Sequence, residues 1–351
     1  MPYPNQKIAL NPLTLVAQRW LMTLLPELWP VTLLAALLLW STGWIYATPP
    51  EETLPPPSAD GPAVVTTPDV DYWLVSSRGL PCYQSGRDVS AARLAFQHCD
   101  STACRWNHAT HAEFLASLDN RPTYVLLHGN RFNFQDAVDF GYTVGEALRG
   151  GWCNQPIRII IWSWPSDQIQ GQIQDIQTKA ARTTSEGIYL ANFLKDLLPG
   201  TPVGLVGYSY GARIASGALH LRGGGSLAGY RLPAEATGAL GPVRGVFFAT
   251  AINECWLLPG QPHGFALNGV ERALFFNNSL DPALKRYHLV DRNTHPEAIG
   301  YVGARIAAVH APKVRQWDVA SSLGKTHDYR QYLGTAWILG RMRSHLNFVQ
   351  P

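Results

Sequence analysis

Cysteine is scarce in this chain and follows no metal-binding or redox spacing. No C-x-x-C pair occurs, and the five cysteines, an odd number, are Cys82, Cys99, Cys104, Cys153 and Cys255. This pattern argues against a zinc site and against a disulfide scaffold. We therefore expect no metal and no other cofactor. A single bridge between Cys99 and Cys104 stays open if the domain lies outside the cytoplasm.

Charge of either sign is also sparse. Charged residues make up 15% of the 351 residues, the formal net charge is +3, and no basic block is interleaved with aromatic residues. A nucleic-acid partner would favour such a block, so we predict none. No internal repeat is found either, and the length suits one large α/β domain or two modest ones.

The amino-terminal region lacks charge altogether over one long stretch. No charged residue occurs from Leu28 to Pro50, and residues 31–40 are almost continuously apolar. Because a helix needs about 20 residues to cross a bilayer, we predict a transmembrane signal anchor at residues 28–47. Basic residues precede it and acidic residues follow it, which leaves residues 1–27 in the cytoplasm. The alternative is a signal peptide cleaved near Ser41–Gly43, which would release the domain.

The remaining chain predicts a spacer followed by one α/β domain. Residues 48–68 are rich in proline and predict a stiff, extended linker. In residues 69–351, strand-like and helix-like segments alternate, which predicts a mostly parallel, doubly wound sheet with helices on both faces. The predicted strands are Asp71–Ser77, Arg93–Phe96, Thr123–Leu127, Ile157–Trp162, Pro202–Val206, Arg244–Ala249, Ala273–Asn277 and Arg315–Val319. The predicted long helices are Asp175–Leu198 and Tyr332–Leu346.

One segment has the order strand, sharp turn, helix. Gly207-Tyr208-Ser209-Tyr210-Gly211 follows an apolar run that ends at Val206, and a helix-like stretch begins at Ala212. A G-x-S-x-G turn in this setting lifts the serine hydroxyl above the sheet, and its backbone angles need small flanking residues. We predict that Ser209 is a catalytic nucleophile.

A serine nucleophile also needs donors for the oxyanion, and two backbone amides are candidates. Asn130 follows the predicted strand Thr123–Leu127, and Tyr210 follows the nucleophile itself. We expect the amides of Asn130 and Tyr210 to bind the oxyanion. His128, two residues before Asn130, is interpreted as a structural hydrogen-bonding residue rather than a base.

Candidates for the acid and the base follow later strands in the order Ser, Asp, His. Asp281 comes after the strand that ends at Asn277, and His327 lies in the loop after the last predicted strand. We predict that His327 is the base and that Asp281 orients it. The alternative acids are Asp291, Glu254 and Asp318, and the alternative bases are His288, His295 and His310.

Five segments occur in one order along residues 124–333. They are His128-Gly129-Asn130, Ser163-Trp164-Pro165-Ser166, Tyr208-Ser209-Tyr210-Gly211, Asp281-Pro282-Ala283-Leu284 and His327-Asp328-Tyr329. Together they resemble a bacterial α/β-hydrolase family of unknown function, with its His-Gly-Tyr-Asn, Ser-Trp-Pro-Ser and His-Ser-Met-Gly segments. The chain departs from that pattern because no tyrosine follows Gly129 and tyrosines flank Ser209. The resemblance implies the α/β-hydrolase fold.

These residues favour an enzyme held at a membrane. We predict a serine hydrolase of carboxylic or lipid esters that works through an acyl-enzyme, anchored in the bacterial inner membrane with its domain in the periplasm. By position, Trp164 and Tyr208 are expected to line the substrate pocket, and residues 221–240 or 256–270 could form a lid. The alternatives are a non-catalytic envelope binding or scaffold protein with the same fold, and a peptidase or thioesterase with the same triad.

Overall fold

The computed structural model describes residues 70–100, 105–150, 155–234 and 240–348. The predicted cytoplasmic segment, membrane anchor and linker, residues 1–27, 28–47 and 48–68, lie outside these described residues. None of the helices in the described part of the chain combines the length and apolarity that crossing a membrane requires.

Nine strands of the described residues form one sheet, with the spatial order β3-β2-β1-β5-β4-β6-β7-β8-β9. The strands are β1 Val70–Ser76, β2 Ala95–Asp100, β3 Arg105–Ala109, β4 Thr123–Leu127, β5 Ile157–Ser163, β6 Val203–Tyr208, β7 Val243–Phe248, β8 Arg272–Asn277 and β9 Val314–Asp318. Only β2 pairs antiparallel, with β1 and with β3, and the other neighbours are parallel. The predicted α/β class with a mostly parallel sheet is confirmed.

Eight α-helices and three 3₁₀ helices connect the strands in the described residues. The α-helices are α1 His111–Ala116, α2 Phe134–Arg149, α3 Gln172–Lys195, α4 Tyr210–Arg222, α5 Ile299–Val302, α6 Ala320–Leu323, α7 Tyr329–Gly334 and α8 Ala336–Leu346. The 3₁₀ helices are Ala91–Arg93, Leu284–Val290 and Ala308–Lys313.

Helices cover both faces of the central strands. Every residue of β4, β5 and β6 is buried, as expected for parallel strands that are packed on two sides. Successive side chains of a strand point to opposite faces. On β5, Ile161 packs directly against Gly141 of α2, whereas its neighbour Trp162 donates to Glu186 of α3. Helices α2 and α3 therefore lie on opposite faces, where α8 and α4 join them respectively.

The chain reverses direction across the sheet at β4. The strand that follows β4 in the chain, β5, pairs with one edge of β4. The next strand, β6, pairs with its other edge, so β4 lies between β5 and β6. Loops that leave the carboxyl ends of such strands diverge to opposite faces and leave a crevice, where α/β proteins bind ligands. The crevice here lies beyond Leu127 and Tyr208, the last residues of β4 and β6.

Several predicted element boundaries differ from the structure. The long helix predicted at Asp175–Leu198 is α3, which starts earlier and ends at Lys195. The last predicted helix, Tyr332–Leu346, is divided into α7 and α8, because Thr335 has the extended angles φ −91° and ψ 105°. Strand β3 was not predicted, and its mostly exposed, polar residues explain why no apolar alternation marks it. Cys99 on β2 is a free thiol, 3.1 Å from the hydroxyl of Tyr142.

Candidate active site

Ser209 lies in a sharp turn between β6 and α4. Its angles are φ 55° and ψ −118°, which place a non-glycine residue in the region of positive φ. A Cβ atom at Gly207 would lie 2.5 Å from the Cα of Ala212, and one at Gly211 would collide with the carbonyl of Leu127. Both glycines are therefore required by the close approach of α4 to β4 and β6, and the turn holds Ser209 at the crevice.

Three predicted site residues form one hydrogen-bonded chain. The Nε2 atom of His327 lies 3.2 Å from the Oγ of Ser209, and its Nδ1 lies 2.6 Å from the Oδ2 of Asp281. These residues are 118 and 46 positions apart in sequence, respectively. Both distances are within hydrogen-bond range, and the arrangement lets a histidine accept the serine proton while a carboxylate fixes its tautomer.

The carboxylate of Asp281 is fully buried and held on both oxygens. Its Oδ1 accepts the backbone N–H groups of Ala283 at 2.9 Å and Leu284 at 3.0 Å, while Oδ2 faces His327. Hydrogen bonds of this kind stabilise the ionised form and compensate for its burial. The Asp-Pro turn after β8 thus aims one oxygen at the imidazole.

Two side chains hold the loop that carries His327. The hydroxyl of Tyr208 donates to the carbonyl of His327 at 2.6 Å. The buried amide of Asn278 donates to the carbonyls of Gly324 at 2.9 Å and Thr326 at 3.1 Å. Burial, and next the charge of Asp281, raise the pKa of Tyr208, so its hydroxyl remains a donor. Tyr208 is also among the residues that line the pocket beside Ser209, whereas its hydroxyl is bound to the backbone of His327.

The segments that carry the two predicted oxyanion donors lie next to Ser209. Tyr210 is the first residue of α4, where a backbone N–H has no acceptor within the helix. A Cβ atom at Gly129 would lie 2.9 Å from the ring of Tyr208 and 3.1 Å from the Cβ of Ser209, so the loop before Asn130 runs directly against the nucleophile. Asn130, Ser209 and Tyr210 all line one pocket.

A buried carboxylate that sequence reasoning missed shapes this loop. Asp175 in the first turn of α3 accepts from the side-chain amide of Asn130 at 3.0 Å and from the Nε of Arg131 at 2.8 Å, both through Oδ2. Its Oδ1 accepts the N–H of Ile169 at 3.3 Å. Arg131 has a positive φ of 62°, and its hydrogen bond to Asp175 helps to hold this conformation. The acidic residue near the start of a helix was the only sequence signal for it.

His128 and Trp164 belong to the packing under the site. Burial lowers the pKa of His128 to about 3, so the imidazole is neutral. Its Nδ1 donates to the carbonyl of Gly129 at 2.9 Å, and its Nε2 accepts the N–H of Trp164 at 3.3 Å. The indole of Trp164 is fully buried, stacks on His128 and donates to its carbonyl at 3.0 Å. The prediction that Trp164 lines the substrate pocket is therefore wrong, because its ring never reaches the cavity.

A pocket of about 270 Å³ opens beside Ser209, with Asn130, Tyr210 and His327 in its lining. Its walls are mainly apolar, from α3 and from the 3₁₀ helix after Asp281, and comprise Ile173, Ile176, Leu284, Leu289 and Val290. Residues from the two segments considered as lids, 221–240 and 256–270, are not found among the described residues that line it. The 3₁₀ helix Leu284–Val290 contributes several of its lining residues.

Two of the alternative acids accept hydrogen bonds from other groups than His327. Asp291 accepts from Asn293 and Thr294, and Asp318 accepts from Ala320. A second serine–histidine contact joins Ser216 Oγ to His263 Nδ1 at 2.6 Å. Burial, and next the charge of Arg213, hold the pKa of His263 well below its usual value, and no carboxylate accepts from this imidazole among the described residues. The pair thus lacks an orienting acid.

In the part of the chain that the structure describes, no group of three or more histidine, cysteine, aspartate or glutamate side chains is arranged to hold a metal ion. Comparison of the chain with models of protein families and with curated proteins finds no match.

Proposed function

We propose that this protein is a serine hydrolase of the α/β-hydrolase type that hydrolyses carboxylic esters. The observation that carries the proposal is the position of His327, which lies 3.2 Å from Ser209 and 2.6 Å from Asp281. The strained elbow at Ser209 adds to it, because positive φ at a serine is costly and is concentrated at functional sites.

The order of these residues along the sheet supports the α/β-hydrolase assignment. Ser209 follows β6, Asp281 follows β8 and His327 follows β9, all at the carboxyl ends of parallel strands. The nucleophile, acid and base occur in this chain order in α/β hydrolases. The second oxyanion donor also matches, since that fold takes it from the loop after a strand beside the elbow.

In the proposed reaction, Ser209 attacks the ester carbonyl while Nε2 of His327 takes its proton. The amides of Asn130 and Tyr210 stabilise the oxyanion of the tetrahedral intermediate. His327 then protonates the leaving alcohol, and an acyl-enzyme remains. Water adds to it with His327 as base and releases the acid, which regenerates Ser209. Asp281 keeps Nδ1–H of His327 in place and stabilises the imidazolium.

The pocket supports a small substrate rather than a long lipid chain. Its volume of about 270 Å³ falls below the roughly 300–1,000 Å³ of common ligand sites. We therefore favour esters of short or medium acyl chains over lipid esters. The predicted anchor at residues 28–47 supports a position at the bacterial inner membrane, with the domain in the periplasm.

The test is covalent labelling and turnover with matched serine variants. Purified protein should react with a fluorophosphonate probe and hydrolyse 4-nitrophenyl hexanoate. Ser209→Ala should abolish both, whereas Ser216→Ala, which removes the other histidine-bound serine, should keep both. Asp281→Asn should lower kcat by roughly a thousandfold or more, because the imidazole loses its tautomer control.

The competing functions give different results in the same experiment. A binding or scaffold protein would be neither labelled at Ser209 nor active on any ester, and that outcome would refute the proposal. A thioesterase or peptidase would be labelled but would prefer a matched thioester or anilide over the ester. The ratio of kcat/KM values across these three substrates decides among them.

A further inference from the structure

Two arginines line the pocket beside Ser209, and no carboxylate is found among its described lining residues. Among its described lining residues, the ionisable groups other than histidine and tyrosine are two arginines, Arg131 and Arg286. Asp175 and Asp281 lie behind the wall, where they are fully buried and already accept hydrogen bonds. The described lining of the pocket thus includes two arginines and no aspartate or glutamate.

The two arginines differ in how they are held. Arg131 uses its Nε to bind Asp175 at 2.8 Å, which fixes the guanidinium and offsets its charge. Arg286 lies on the 3₁₀ helix Leu284–Val290 and forms no ion pair within the described part of the chain. An exposed arginine that lines an apolar pocket and has no carboxylate partner is suited to bind a planar anion through two parallel N–H groups.

We propose that the substrate of this site is a small ester that also carries a carboxylate, and that Arg286 binds this carboxylate. This inference rests on the proposed function and names its substrate class. The apolar wall residues contact the hydrocarbon part of the substrate, and Arg131 adds a second, weaker attraction. Because Arg286 is exposed, its contribution is expected at the low end for a charged hydrogen bond.

The experiment compares neutral and anionic esters of equal chain length. The mono-4-nitrophenyl esters of adipate and suberate are paired with 4-nitrophenyl hexanoate and octanoate, which differ only in the terminal carboxylate. The measured quantity is the ratio of kcat/KM for the anionic ester to that for the neutral one. In the wild type this ratio should be about ten. It should fall as sodium chloride is added, because salt screens the attraction between the carboxylate and the guanidinium.

Arg286→Gln should lower that ratio about tenfold, through KM, and Arg286→Lys should restore part of it. Lys285→Gln is the matched control, because it removes the same charge one residue away and Lys285 lines a different depression. This control should leave the ratio unchanged. Thermal melting of each variant reports whether it is folded.

Two failures are distinguishable. In the first, Ser209 is labelled by the fluorophosphonate, but the wild type does not prefer the anionic esters or Arg286→Gln leaves the ratio unchanged. This result would overturn the carboxylate proposal and leave the hydrolase proposal intact. Absence of labelling and of hydrolysis in both ester series would overturn the hydrolase proposal and, with it, this inference.

Discussion

The hydroxyl of Tyr208 gives the sharpest test of how the candidate base is positioned. It donates to the backbone carbonyl of His327 at 2.6 Å, whereas the ring packs against Phe248 and the imidazole. Tyr208→Phe removes the hydroxyl and keeps the ring, so the pocket wall is preserved. We expect kcat to fall and KM to stay within about twofold, because no substrate contact is lost.

The size of the effect follows from one hydrogen bond. A buried hydrogen bond contributes about 1 kcal/mol net, and 1.4 kcal/mol corresponds to tenfold in rate. If the loop loses that much preference for the reactive position, kcat falls about fivefold. A hundredfold loss is not expected, since Asn278 still holds the same loop through Gly324 and Thr326. The assay is steady-state hydrolysis of 4-nitrophenyl hexanoate, with the free energy of unfolding measured in urea.

Tyr332→Phe is the matched control. The hydroxyl of Tyr332 is buried and has no hydrogen-bond partner among the described residues. Its removal should leave kcat unchanged and should not destabilise the fold, because an unsatisfied buried hydroxyl costs free energy. If Tyr208→Phe instead raised KM and left kcat intact, the hydroxyl would contact substrate. This would agree with the sequence-based prediction that Tyr208 lines the substrate pocket. A fully wild-type Tyr208→Phe would refute the positioning role.

Two further predictions concern the scaffold of the site. Gly211→Ala should lower the free energy of unfolding by several kcal/mol and suppress fluorophosphonate labelling, because a Cβ there collides with the carbonyl of Leu127. Gly340→Ala is the control, since a Cβ at this position in α8 would meet open space. It should raise the free energy of unfolding by about 0.5–1 kcal/mol. For His128, burial lowers the folded pKa to about 3, whereas the unfolded value is about 6.5. As pH falls below about 6.5, the imidazole of His128 is protonated in the unfolded chain but not in the folded one. The free energy of unfolding therefore decreases, by about 2 kcal/mol at pH 5. In His128→Gln, the loss of unfolding free energy between pH 7 and pH 5 should be smaller by about that amount; an equal loss in both proteins would contradict the buried, neutral imidazole.

Sequence alone predicted the parts of the site that local chemistry encodes. The elbow was predictable because its glycines and the strand and helix around it are contiguous, and the structure gives each glycine a steric reason. Asp281 and His327 were placed because parallel strands end at a common edge, which brings residues distant in sequence together. Such rules specify which residues can meet, whereas the distances of 2.6 Å and 3.2 Å come from the structure.

The remaining parts depend on contacts that no local pattern marks. Asp175 looked like an ordinary residue near a helix start, yet it anchors Asn130 and Arg131 from another segment. The position of Trp164 after a strand predicts a pocket residue, but its indole is stacked on His128. A side chain's direction after a strand depends on what packs there, and this information is distributed over the whole core.

The three members of the proposed triad are fixed with unequal strength. Backbone groups fix the nucleophile, because the amide of Ser209 donates to Phe248 and its carbonyl accepts from Ala251, both at 3.2 Å. Asp281 is held by two backbone N–H groups. The loop of His327 is held instead by the side chains of Tyr208 and Asn278. Local opening occurs where few backbone interactions resist it, so we expect His327 to be the member whose position is lost first. Activity should therefore be lost through this loop before the sheet or the elbow is disturbed.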